Sequence, residues 1–137
     1  MSEESVHVAR KAFDAFNRTF AKGTRDLYDV LDPDVEWIPV TALLEGTSYR
    51  GEAEVRRWMT EIKRDWTDYE VRPQEFRDAG SGRVLVLGSW RARGRRGQVP
   101  LEFPQAAWLM QVAGERVTRV QVFTDQRKAL EAAGLSE

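Results

Sequence analysis

The chain has no cysteine and one histidine, His7. The first absence removes disulfides, thiolate chemistry and cysteine-based zinc sites together. A lone imidazole near the N-terminus cannot build a histidine-rich metal site, so no metal or organic cofactor is expected. No apolar run approaches the roughly 18 residues that a membrane span needs. The start, MSEESVHVARK, lacks a basic region followed by an apolar one, so no leader peptide is expected. Neither sign of charge predominates: 21 Lys+Arg stand against 22 Asp+Glu, a formal net charge of −1. Together these absences point to a soluble, cytoplasmic protein whose partner is neither a membrane nor a nucleic acid.

What is present suits one domain, residues 1–137, long enough to bury a core without covalent staples. Val6, Ala9, Phe13, Phe16 and Phe20 recur at three- and four-residue spacing, the stripe of an amphipathic helix that Gly23 ends. Thr24 is placed to cap a short second helix carrying Leu27, Val30 and Leu31 inward, up to the Asp32-Pro33 break. VEWI reads as a first strand. Gly51, Glu52 and Glu54 open a third helix whose apolar face is Val55, Trp58, Met59, Ile62 and Trp66. From Tyr69 the pattern turns to four strands, YEVRPQEF, RVLVLGSWRAR, VPLEFPQAAWLMQV and RVTRVQVFT, separated by the turn signals DAGSG, GRRG and VAGER. Asp125 then caps a terminal helix that Gly134 closes.

Helices segregated on a curved antiparallel sheet make an α+β architecture. The stretches LDPDVEW, YRG and RVQVFTDQRKALEAAGL make the whole chain resemble the SnoaL-like branch of the nuclear-transport-factor-2-like and ketosteroid-isomerase-like superfamily. The resemblance implies a cone-shaped sheet with the N-terminal and central helices packed on its concave face and a small-molecule pocket between them. It also implies chemistry by carboxylates. The isomerase pattern places a base at the end of the first strand, a Tyr on the first helix and a protonated Asp on a central strand. Here the first helix offers Phe13, Phe16 and Phe20, the first strand Trp37, and the central strand Gln105 or Ala107. The polyketide-cyclase pattern of Asp with His, and the epoxide-hydrolase pattern of Arg between two Asp, find no matching residues either.

Strand alternation turns Trp37 into the cone and Glu36 away from it; a one-residue slip reverses the two, which leaves Glu36 as the one catalytic candidate. The same parity sends Val84, Val86, Trp90, Phe103, Gln105, Ala107 and Leu109 inward. The expected ligand-binding set is Phe16, Trp37, Tyr49, Trp58, Trp90, Phe103 and Gln105, with the Gln105 amide as polar anchor. The opposite parity leaves Leu87, Trp108, Met110 and Phe123 as a second apolar row, and a homodimer through the convex face is its expected cover. Arg91, Arg93, Arg95 and Arg96 gather at a hairpin tip, where charge keeps strand edges soluble. Two functions stay open: cofactor-free isomerisation, cyclisation or hydration of a small, largely apolar metabolite, or binding of such a molecule without catalysis.

Overall fold

The helical stripe builds α1 (Ser2–Lys22), with Glu3 and Glu4 in its first turn and Lys22 in its last, as the helix dipole favours. A computed structural model describes residues 2–40 and 46–136. Gly23 leaves the helix at φ 71°. The short α2 (Asp26–Val30) has Arg25 at its N-cap and no side-chain cap there. Thr24 therefore does not cap it. Instead the buried Thr19 hydroxyl of α1 accepts the Leu27 N–H at 3.1 Å, which ties the two helices.

Strand β1 (Leu31–Ile38) follows directly and starts earlier than VEWI. The two-residue β2 (Tyr49–Arg50) leads into α3 (Gly51–Asp65). Trp66 is extended, at φ −131° and ψ 146°, so it opens β3 (Trp66–Gly80) and does not belong to the helix. Strands β4 (Arg83–Gly94), β5 (Pro100–Ala113) and β6 (Arg116–Phe123) complete the meander, and α4 (Gln126–Ala133) ends the chain. Asp125 accepts the Arg127 N–H at 2.9 Å, and Gly134 closes α4 in the left-handed conformation. No described helix is long and apolar enough to cross a membrane.

The fold is α+β, with a six-stranded, curved and unclosed sheet in the order β2-β1-β6-β5-β4-β3. All neighbours are antiparallel except β1 and β6, which run parallel, so the sheet is mixed and not wholly antiparallel. The cause is α3, which carries the chain from β2 at one edge of the sheet to β3 at the other, so that the meander from β3 brings β6 back alongside β1. Helices α1, α2 and α3 share one core with the concave face.

Strand β5 departs from simple alternation. Gly88 pairs with Ala106 but Trp90 pairs with Phe103, so β5 spends one extra residue at Pro104-Gln105. That bulge reverses the parity beyond it. Ala106, Trp108 and Met110 face the main core, while Ala107 and Leu109 face the convex side, the reverse of the expected assignment. On the convex side α4 buries Ala129, Leu130 and Ala133 against Leu85, Leu87, Ala107 and Leu109. The centre of this face is thus covered from within the chain, and Phe123 stays half-buried. Of the four residues expected there, Leu87 and Phe123 lie on that side and Trp108 and Met110 do not.

Candidate functional site

The hydrophobic stripes of α1 and α3 and the inward row of the sheet meet in a small cavity of about 50 Å³. Phe16 comes from α1, Trp58 from α3, Trp37 from β1 and Trp90 from β4, so four of the expected ligand-binding residues line it. Trp37 lies nearly parallel to Phe16 at 6.2 Å and tilts against Trp58 at 5.2 Å. Trp108 and Met110, brought inward by the bulge, complete the floor with Val120 and Val122. Among the described residues the lining holds no carboxylate, imidazole, amine or guanidinium. Ordinary small-molecule pockets measure about 300–1,000 Å³. The aromatic rings therefore fill most of the cone.

The other expected ligand-binding residues lie elsewhere. Tyr49 is buried beside Trp37 on the neighbouring strand, outside the cavity lining, and its hydroxyl donates to Glu61 Oε1 at 3.2 Å. Phe103 stacks on Trp90 at 4.6 Å and backs the wall without lining it. Gln105 is exposed in the bulge and offers no inward amide, which corrects its role as the anchor. Glu36 sits opposite Arg119 and Arg50 on the far side of β1 from buried Trp37, and its carboxylate accepts from Arg119 Nε at 3.1 Å. The slipped register is not the one adopted.

The polar atoms inside the cone are donors. The indole N–H groups of Trp37 and Trp90 are buried with no hydrogen-bond partner, a state that costs about 1–3 kcal/mol per group. Tyr69 of β3, half-buried at the cavity's edge, adds a hydroxyl to the lining. Burial pushes its phenol above the usual tyrosine range, a shift that the nearby Trp90 indole N–H only partly offsets. Tyr69 was not singled out from the sequence, nor were Trp108 and Met110 assigned to the cavity. The signals were Asp68, a residue that tolerates left-handed backbone, and Pro104, which cannot sit in a regular inner strand.

Beyond Tyr69 opens a wider polar groove of about 810 Å³, with Asn17, Lys63, Glu70, Arg91, Arg93 and Arg95 among its lining residues. The hairpin arginines are largely engaged. Arg91 Nε donates to Glu70 at 3.2 Å, and the Arg72 guanidinium, with Arg91 behind it, holds the Glu70 carboxyl below the ordinary range. Arg95 donates through its backbone N–H to Asp65 O at 3.0 Å and through Nε to Lys63 O at 2.8 Å. It thereby caps the C-terminus of α3, where a cation is favoured.

No protein-family model matches the sequence, and no curated protein matches it. Solved structures do match its fold. An NTF2-like protein from Burkholderia xenovorans is 24% identical, with a TM-score of 0.72 over 97% of either chain. An NTF2-like protein from Burkholderia thailandensis is 19% identical, with a TM-score of 0.73 over 96% of this chain and 98% of that one. A protein with a ketosteroid-isomerase-like fold from Catenulispora acidiphila, solved in complex with trimethylamine, is 15% identical, with a TM-score of 0.70 over 92% and 94%. The likeness is one of fold.

Proposed function

We propose that this NTF2-like fold binds a small, uncharged, largely apolar molecule carrying an acceptor oxygen, such as a ketone, ether or epoxide, in the cone cavity. One observation carries the reading: an aromatic lining that offers buried donors without partners and, among the described residues, no charged group. An acceptor oxygen would relieve donors that otherwise stay unpaired. A carboxylate or an ammonium would enter with no opposite charge to meet it. The small volume means that rings such as Phe16 and Trp58 shift to admit a ligand. Cyclopentanone should raise the melting temperature in proportion to its occupancy, while cyclopentanecarboxylate and cyclopentylamine at pH 7 should not. Equal stabilisation by all three would sink the proposal.

A second reading draws on the same walls. Aromatic rings suit a small alkylammonium ion, and the Catenulispora protein was solved with trimethylamine. The unpartnered N–H groups oppose it, since donors repel a cation. Catalysis by isomerisation, cyclisation or hydration would require a proton-transferring group. Among the described lining residues Tyr69 is the one that titrates, so binding without acid-base chemistry is the stronger reading. The proposal takes residues 1–137 as one domain. Pairing of two copies through the convex face belongs to the same proposal, built on Phe123 and the adjoining Ile38 and Gln121, which α4 leaves half-buried.

A further inference from the structure

The apolar cavity and the polar groove share Tyr69 as a common wall. Its position depends on an irregularity in β3. Thr67 pairs with Arg93 and Glu70 with Arg91, so Asp68 and Tyr69 together stand opposite the single residue Ala92. Asp68 takes a left-handed backbone, φ 49°, and its side chain is 78% exposed. Such a bulge re-aims the residue beside it. Tyr69 is turned among Phe16, Phe20, Trp58 and Trp90, at ring distances of 5.8, 5.4, 6.3 and 5.0 Å. Two residues on, the Asn17 amide accepts from Val71 N at 3.2 Å and donates to Val71 O at 3.0 Å, fixing this part of β3 to α1.

A phenyl ring would close the wall as well as a phenol does, so packing alone leaves the hydroxyl unexplained. Its polar neighbour is the Trp90 indole N–H, which approaches the phenol oxygen without reaching full hydrogen-bond geometry. We infer that Tyr69 is the residue that reads the ligand: its hydroxyl donates to the acceptor oxygen at the boundary between cavity and groove, and the bulge at Asp68 positions it there. This rests on the cavity reading above and assigns the contact that gives it selectivity. Because burial keeps the phenol protonated, it acts as a neutral donor over the whole working pH range.

The test uses cyclopentanone and its near-isostere methylenecyclopentane, which differ in C=O against C=CH₂. Both are titrated into ¹⁵N-labelled protein while the indole N–H resonances of its five tryptophans are followed. Both probes should move cavity tryptophans, with the ketone bound roughly three- to tenfold more tightly, the factor expected for one neutral hydrogen bond. Tyr69→Phe should bring that preference close to one and leave methylenecyclopentane affinity unchanged. Asp68→Val, a β-branched residue forced to positive φ, should also abolish the preference, and Asp68→Gly, which adopts that backbone freely, should retain it. This second pair decides the matter if Tyr69→Phe does not fold. A ketone preference that survives Tyr69→Phe overturns the role of Tyr69 while leaving the cavity reading standing, and a preference absent from the wild type removes both that role and the acceptor oxygen from the reading. If neither probe moves any tryptophan, both fall.

Discussion

Trp108 and Gln105 lie on the same strand and exchange the roles that simple alternation gives them. The first is 4% exposed in the main core and the second is exposed in the bulge. Trp108→Ala should therefore cost about 3–5 kcal/mol, as other large-to-small core changes do, whereas Gln105→Ala should stay within about 0.5 kcal/mol. Urea unfolding of the two variants would check this, and equal costs would refute the register. Tyr69 allows a test by pH. Below its ordinary value of 10 the phenol is protonated in both folded and unfolded chains and contributes no pH dependence. Above it the unfolded chain gives up the proton while the buried phenol, its pKa raised, keeps it. Folding stability should then fall with rising pH, by up to about 1.4 kcal/mol per unit relative to Tyr69→Phe. Parallel denaturation curves for the two proteins between pH 9 and 11 would show otherwise.

At the scale of elements, what could be read in the sequence was whatever a local pattern encodes. The α1 stripe, the Gly23 stop, the Asp125 cap and the Gly134 closure are each decided by a few adjacent residues, and the structure shows each of them. Trp37 faces inward as alternation from Val35 requires. The failures came where a contact between distant segments decides. Trp66 leaves α3 where Arg95 of the β4–β5 hairpin caps the helix end. That hairpin has a longer loop than its Gly-Arg-Arg-Gly sequence suggests, with Gly97 and Gln98 both left-handed, and Arg93 pairs with Pro100 and Trp90 with Phe103. The β5 bulge is stabilised from outside as well: Gln126 Nε2 donates to Gly88 O and Ala106 O at 3.3 and 3.2 Å. Gly88 itself has no room for a side chain, since a Cβ there would meet Arg72 O at 2.2 Å. Gly88→Ala must push β3 and β4 apart and should destabilise by about 1–3 kcal/mol. Asp125→Ala, which removes one cap, should cost about 1 kcal/mol. Differential scanning calorimetry of the two would rank them, and a neutral Gly88→Ala would contradict the close approach of the strands.

Among the described residues the large hydrophobic side chains classed as exposed are Val99 and Leu101, at 59% and 36%, both beside the β4–β5 turn. The convex face is different from the one alternation suggested, because α4 buries its centre and the bulge takes Trp108 and Met110 to the other side. Pairing through that face would use the half-buried Phe123, Gln121 and Ile38, bordered by the Arg119–Glu36 ion pair. Such a surface has a small apolar centre and a charged rim, and interfaces of that kind bind weakly. A dimer formed there should dissociate in the micromolar range, and Phe123→Glu should leave a folded monomer whose melting temperature falls only by the loss of its packing against the α4 cluster. Trp108→Glu should unfold the protein, since it places a carboxylate among core rings with no partner. Sedimentation velocity across a dilution series, with circular dichroism on the two variants, separates these outcomes. A wild type that sediments as a monomer of 15.7 kDa at every concentration would end the pairing proposal and leave α4 as the sole cover of the convex face.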